Sequence, residues 1–90
     1  MVNIVENWAK IEGFVKSIAE NPALPGYYSV EVALKASSEV ESFPNLAKAD
    51  EGKIIQINVK KSELEKNQIR VNATISCTVR KAFGHAYFMR

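Results

Sequence analysis

Side chains that commonly carry catalysis or metal binding are sparse in this 90-residue chain. Its one cysteine, Cys77, excludes an internal disulfide and a multi-cysteine zinc site, and its one histidine, His85, has no cysteine or second histidine near it in sequence. A catalytic dyad needs an activating partner, and the sequence holds neither a phosphate-binding glycine loop nor a metal-ligand spacing. The residue types therefore predict a protein without enzymatic activity, cofactor or metal.

Basic residues are concentrated in the C-terminal part of the chain. Residues 1–51 carry four basic groups against eight acidic ones, whereas residues 52–90 carry eight against two, within a formal net charge of +2. Clustered lysine and arginine raise the local potential even when the net charge is small. The asymmetry indicates a basic surface for an anionic partner, unless interleaved strands mix the two parts in space and cancel the field.

Alternating apolar and polar residues, typical of strands with one buried face, dominate the pattern. Residues 11–18 alternate around Gly13, and a glycine inside such a pattern indicates a bulge or a bend. The same alternation predicts four further strands, at 27–35, 53–60, 69–80 and 86–90. In the fourth strand, Val71 and Cys77 fall on the predicted inward row, where a cysteine behaves as a small apolar group.

Three segments between these strands are predicted to leave the sheet. Residues 20–26 contain two prolines and a glycine, which prevent regular pairing and form a loop. Residues 36–51 have no sustained period and are interpreted as a long connection with one helical turn near 46–49. Ser62 and Glu65 have the spacing of a capping box, which predicts a helix of one to two turns between the third and fourth strands.

A flat sheet of five strands with one small helix could not cover its apolar face, whereas a closed barrel lets the inward rows cover one another. The order of elements resembles that of the OB-fold family, small barrels that bind oligonucleotides and oligosaccharides. The resemblance covers residues 9–90 and is carried by the bent strand at 10–15, the helix at 62–67 and the turn at Gly84 into 87–89. It implies an all-β fold, a five-stranded antiparallel barrel with one short helix between strands 3 and 4.

The resemblance also implies where a ligand would bind. OB-fold proteins that bind single strands use basic groups to follow the phosphates and exposed rings to stack on bases, each ring contributing about 1 to 3 kcal/mol. The residues that fit these roles lie on the predicted outward face of strands 2 and 3 and in the last strand: Tyr27, Lys35, Lys53, Gln56, Asn58, Lys60 and Tyr87. Each ring could instead pack in the core, each lysine could simply be solvated, and Glu31 on the same face would repel phosphate.

These residues predict a small module that binds single-stranded nucleic acid with low sequence specificity. Two alternatives stay open. A protein-interaction or assembly module would dock through its loops, where Leu24, Phe43 and Leu46 supply apolar anchors. A module for carbohydrates or small ligands would use the same barrel face. A homodimer formed through an edge strand is compatible with all three functions.

Length and composition limit the number of domains and the cellular location that we expect for the protein. A chain of 10.0 kDa is interpreted as a single domain over residues 1–90, with an N-terminal arm at 1–8 and the long connection at 36–51. The 47% hydrophobic and 24% charged fractions, with only seven Gly and Pro residues, are typical of a globular chain and argue against a disordered one. The start of the sequence lacks the pattern of a secretory signal, and no apolar run approaches the roughly 18 residues that a membrane-spanning helix needs. We therefore expect a cytoplasmic protein without a membrane partner.

Overall fold

The computed structural model describes residues 7–41, 43, 45–82 and 86–89. Over these residues the chain forms, in order, β1 (Ala9–Glu20), β2 (Tyr27–Glu39), a 3-10 turn (Lys48–Asp50), β3 (Ile54–Lys60), α1 (Lys61–Lys66), β4 (Thr74–Lys81) and β5 (Tyr87–Met89). The strands close into a barrel in the order β1-β2-β3-β5-β4. The predicted five-stranded barrel, with a short helix between strands 3 and 4, is confirmed. The prediction that all strands pair antiparallel is wrong, because β3 and β5 run parallel and the barrel is therefore mixed.

The apolar rows predicted from the alternation face the interior of the barrel. The buried side chains come from every strand and include Ile11, Val15, Val30, Val32, Leu34, Ile55, Ile57, Val59, Ile75, Val79 and Tyr87. The inward rows of neighbouring strands cover one another, so a single core forms without a second sheet. Leu64 of α1 and Ile69 after it pack against this core.

Gly13 allows β1 to pair on both of its sides. β1 pairs with β2 along its whole length and with β4 over Ala9–Phe14, and its register with β2 shifts next to Gly13. A Cβ atom on this residue would lie 2.5 Å from Val32 Cγ1 and 2.6 Å from the carbonyl oxygen of Ala33. The backbones therefore approach too closely for any side chain, and the predicted irregularity at Gly13 is confirmed.

β4 begins at Thr74 and not at Ile69, where the alternation places its start. Asn72 has a φ of 67°, in the left-handed region that an extended strand does not enter and that asparagine tolerates better than most residues. Its backbone N–H donates to the carbonyl of Val15 at 2.9 Å, so a turn docks on β1 in place of the predicted strand. Val71 is consequently 46% exposed, and its predicted inward position is wrong.

α1 begins at Lys61 with Lys60 as its N-cap residue, and no side chain caps it. The predicted capping box at Ser62 is therefore wrong, because the chain passes directly from β3 into the helix and Ser62 already lies within the first turn. β2 continues to Glu39, so the long connection predicted at 36–51 instead covers 40–53. The predicted turn at Gly84 and the candidate His85 lie outside the described residues.

Asp50 joins the long connection to the last two strands. Lys81 Nζ donates a hydrogen bond to Asp50 Oδ2 at 2.9 Å, and the Tyr87 hydroxyl donates to the same oxygen at 2.5 Å. The hydrogen bonds from Tyr87 and then from Lys81 lower the pKa of the Asp50 carboxyl. Burial, reinforced by the bond to Asp50, raises the pKa of Tyr87. We call these three residues the Asp50 cluster.

Residues near the two ends of the described chain lie on adjacent parts of the sheet. The side chain of Asn7 donates to the Lys81 carbonyl at 3.0 Å and accepts from the Lys81 N–H at 2.9 Å. Ala9 of β1 is the register partner of Val79 in β4, which is in turn the partner of Met89 in β5. β4 alone therefore separates the beginning of β1 from the end of β5.

Candidate functional site

Two aromatic rings and an arginine cluster on the outer surface of the barrel. The ring centroids of Tyr27 and Phe88 lie 6.0 Å apart at an interplanar angle of 83°, and the Arg80 guanidinium carbon lies 5.9 Å from the Phe88 centroid. Arg80 is opposite Phe88 across β4 and β5, and Lys60 is opposite Tyr27 across β2 and β3. Directly opposed residues of antiparallel strands project from the same face. We call Tyr27, Lys60, Arg80 and Phe88 the Tyr27 platform.

The contacts within the platform hold its rings in place. Tyr27, Arg80 and Phe88 are half-buried, and Lys60 is exposed. An edge-to-face ring pair contributes about 0.5 to 1.5 kcal/mol, and a cation over a ring about 0.5 to 1 kcal/mol at exposed sites. Part of each ring stays accessible while its orientation is restrained. Such a surface can stack against a flat ligand and attract negative charge.

The loop between β1 and β2 is fixed beside the platform by hydrogen bonds. Asn21 Nδ2 donates to Asn58 Oδ1 of β3 at 2.9 Å, and Asn21 Oδ1 accepts from the backbone N–H of Ala23 at 3.0 Å. At the other end of the loop, the Lys61 N–H donates to the Gly26 carbonyl at 3.0 Å. The loop is therefore tied both to β3 and to the first residue of α1.

A groove of about 570 Å³ lies between this loop and α1. Its lining includes Pro22 and Pro25 of the loop, Tyr27 and Tyr28 of β2, and Lys61. Glu20 also lines the groove and adds one carboxylate to a surface that holds the cation of Lys61. Tyr27 belongs both to this groove and to the platform, so the two form one continuous surface.

The predicted site residues of β2 and β3 divide between two ends of the barrel. Tyr27 and Lys60 meet in the platform, and Gln56 is exposed farther along β3. Lys35 and Lys53 lie at the other end, and a rise of about 3.3 Å per residue separates Lys35 from Tyr27 by about 26 Å along β2. The three lysines therefore do not form one patch.

Two predicted site residues are buried. Asn58 projects from the outward row of β3 but is only 3% exposed, because Phe88 of β5 lies beside it and Asn21 of the loop covers it. Tyr87 is 1% exposed and belongs to the core. Its predicted surface position is wrong, because within β5 the outward side chain is that of Phe88. Asn58 and Tyr87 therefore position other groups and cannot contact a ligand directly.

Sequence reasoning did not select Phe88, Arg80 or Lys61. The alternation of β4 does predict that Arg80 projects outward, so its place on the surface could have been found from the sequence. β5 has only three residues, so its pattern cannot decide which side chain faces out. Lys61 enters the groove because Gly26 binds the start of α1, a contact that sequence spacing does not encode.

Glu31 lies between the two ends of β2, on the outward face. Its Oε1 accepts a hydrogen bond from Ser17 Oγ at 2.9 Å, and its register partner in β3 is Gln56. This exposed carboxylate interrupts any basic path from the platform to Lys35. An anionic ligand is therefore expected to contact the platform and the groove rather than the full length of β2.

Among the described residues, no group of three or more His, Cys, Asp or Glu side chains is arranged to hold a metal ion. Cys77 is half-buried, and desolvation raises the pKa of its thiol to about 12. The thiolate, the reactive form, is therefore scarce at neutral pH.

Comparison with known proteins identifies no relative: the chain matches no family model, no curated protein and no solved structure. No α-helix within the described ranges has the length and apolar character needed to cross a membrane. The function is therefore inferred from the barrel and its surface residues.

Proposed function

We propose that this barrel is an OB-like module that binds single-stranded nucleic acid with low sequence specificity. OB-folds bind their ligands on the face of strands 2 and 3 and at the loops that follow strands 1 and 4. The Tyr27 platform occupies the corresponding place, since Tyr27 begins β2 directly after the β1–β2 loop and Lys60 ends β3. Position in the barrel thus supports the same assignment as residue type.

The observation that carries the proposal is an accessible tyrosine ring beside three cations. Tyr27 is braced by Phe88, and Arg80, Lys60 and Lys61 lie on the platform or in the adjoining groove. Aromatic rings stack on any base, and cations bind phosphate whatever the sequence. This combination favours a short single strand and explains why little discrimination among bases is expected.

Binding can be measured by fluorescence anisotropy, with the protein titrated into labelled oligo(dT), oligo(U) and a mixed-sequence strand of equal length. We expect all three to bind at low salt with similar affinity. Each phosphate neutralised on a single strand contributes about −0.7 to the slope of log K, the association constant, against the logarithm of the salt concentration. Three such contacts should therefore give a slope of about −2. The absence of binding at low salt, or an affinity indifferent to salt, would refute the proposal.

Variants of the platform locate the binding site. Tyr27→Ala should weaken binding by about 1 to 3 kcal/mol, since it removes one stacked ring, whereas Tyr27→Phe should retain most of the affinity. Arg80→Gln should reduce the salt slope by about 0.7, while Lys48→Gln, on the exposed 3-10 turn, should leave it unchanged. Circular dichroism checks that each variant is folded. Equal affinity of Tyr27→Ala and the wild-type protein would place the site elsewhere.

A further inference from the structure

An apolar row crosses the outside of the barrel over three strands. Phe14 of β1 is the register partner of Ala33 in β2, and Ala33 is the partner of Ile54 in β3. Phe14 is 38% and Ile54 60% exposed, so with Ala33 between them they form a contiguous apolar row that is open to solvent. We call this row, together with the charged residues that border it on β1 and β2, the Phe14 face.

The charges that border the row have a particular order. On one side of it lie Lys16 of β1 and Glu31 of β2, and on the other side lie Glu12 of β1 and Lys35 of β2. Each strand therefore carries one cation and one carboxylate, with opposite polarity on β1 and β2. Within the chain, Lys16 Nζ lies 5.6 Å from the Phe14 ring centroid, and Lys35 Nζ lies 3.8 Å from Glu12 Oε1.

We propose that two copies of this chain associate through the Phe14 face, around a two-fold axis that runs along the Phe14–Ala33–Ile54 row. Such an axis exchanges the two sides of the row while it keeps each strand opposite its own copy. Lys16 then faces Glu12 of the second copy, and Glu31 faces Lys35 of the second copy. Every bordering charge meets an opposite charge, so the face is complementary to itself.

The charge order favours this axis over a two-fold axis that runs along β2. A two-fold axis along β2 would place Glu31 against Glu31 and Lys35 against Lys35, and like charges in contact oppose association. Ala33 lies at the centre of the row between the larger Phe14 and Ile54, and either axis preserves this arrangement, so the charge order alone decides between them.

Association is expected to be weak. Three strands at a spacing of about 4.8 Å give a narrow contact, smaller than the roughly 800 Å² per partner of a standard interface. Sedimentation velocity of the full chain, from micromolar to millimolar concentration, should show a sedimentation coefficient that rises towards that of a dimer. Amide NMR shifts that change with concentration should map to Phe14, Ala33 and Ile54. A chain that stays monomeric throughout, or shifts confined to another surface, would overturn the proposal.

Charge reversal tests the arrangement of the two copies. Glu31→Lys and Lys35→Glu should each lose at least roughly tenfold in self-association, because each homodimer then contains two like-charge contacts. An equimolar mixture of the two variants should associate again, since each reversed charge meets its opposite. Lys48→Glu, an equal change of charge away from the face, should leave association unaltered, and circular dichroism checks folding. If the mixture stays monomeric while the wild-type protein dimerises, the proposed axis is wrong.

Discussion

Asp50 stabilises parts of the barrel that are remote in sequence. It belongs to the connection between β2 and β3, yet its carboxylate accepts hydrogen bonds from Lys81 of β4 and Tyr87 of β5. β5 has only three residues, and the hydrogen bond from the Tyr87 side chain adds to the strand pairing and core packing that hold it in place. The side chains of Asp50 and Lys81 are 19% and 18% exposed, which limits screening by solvent.

Stability should depend on the charge of Asp50. Its pKa is lower in the folded chain than in the unfolded one, so the Asp50 cluster stabilises the fold above the unfolded pKa of about 3.9 and loses this effect as the pH falls through the folded pKa. Asp50→Asn should therefore cost about 1 to 3 kcal/mol in the free energy of unfolding near neutral pH. Urea unfolding monitored by circular dichroism, at neutral and at acid pH, measures this loss.

The difference between wild-type and Asp50→Asn protein should shrink towards zero in acid, because both then lack the charge. Glu65→Gln, an exposed carboxylate on α1, should change stability little at either pH and serves as the control. A loss that is equal at both pH values would show that the substitution acts through packing and not through the ionised carboxylate.

Short elements limit what the residue pattern alone predicts. Long alternations place Tyr27, Gln56 and Lys60 on the outer surface correctly, because strand geometry imposes a period of two. In β5 three residues cannot establish a phase, and Tyr87 turns inward. Asn58 follows the alternation but is covered by a loop and a neighbouring strand, and those contacts depend on long-range pairing that no local pattern reports.

Gly13→Ala tests the close approach of β1 and β2. An added Cβ would meet Val32 Cγ1 and the Ala33 carbonyl oxygen, so we expect a loss of about 1 to 3 kcal/mol or more, as in overpacked cores. Gly52→Ala is the matched control: its Cβ would enter open space, and only its φ of 86° opposes alanine, at about 1 to 2 kcal/mol. Chemical unfolding should rank Gly13→Ala as the more destabilising, and the reverse order would contradict the register described for β1.

At the scale of the whole molecule, closure of the barrel places two surfaces on different parts of one small domain. A rise of about 3.3 Å per residue puts Tyr27 about 20 Å from Ala33 along β2, so a dimer formed through the Phe14 face leaves the Tyr27 platform of each copy accessible.

The closure of the sheet into a barrel could be predicted from the elements, since one short helix cannot cover the apolar face of five strands. The parallel pairing of β3 with β5 could not be predicted from the sequence, because the alternation of apolar and polar residues carries no information on the direction of a strand.

A domain with one contiguous core should unfold in one step. The inward rows of all strands form a single cluster, and the one tryptophan, Trp8, immediately precedes β1. Urea unfolding followed by Trp8 fluorescence and by far-UV circular dichroism should therefore give coincident transitions. A fluorescence transition at lower urea would mean that the start of β1 opens before the barrel does.

The proximity of Ala9 and Met89 has a consequence for how this domain can be combined with others. Two strand spacings of about 4.8 Å put these residues about 10 Å apart, a gap that a few linker residues span. Because these residues of β1 and β5 lie close together, the barrel can be grafted into a surface loop of a host protein without forcing the host apart. The same geometry permits circular permutation, with a linker that joins the residues near Ala9 and Met89 and new ends opened in the β2–β3 connection before the 3-10 turn.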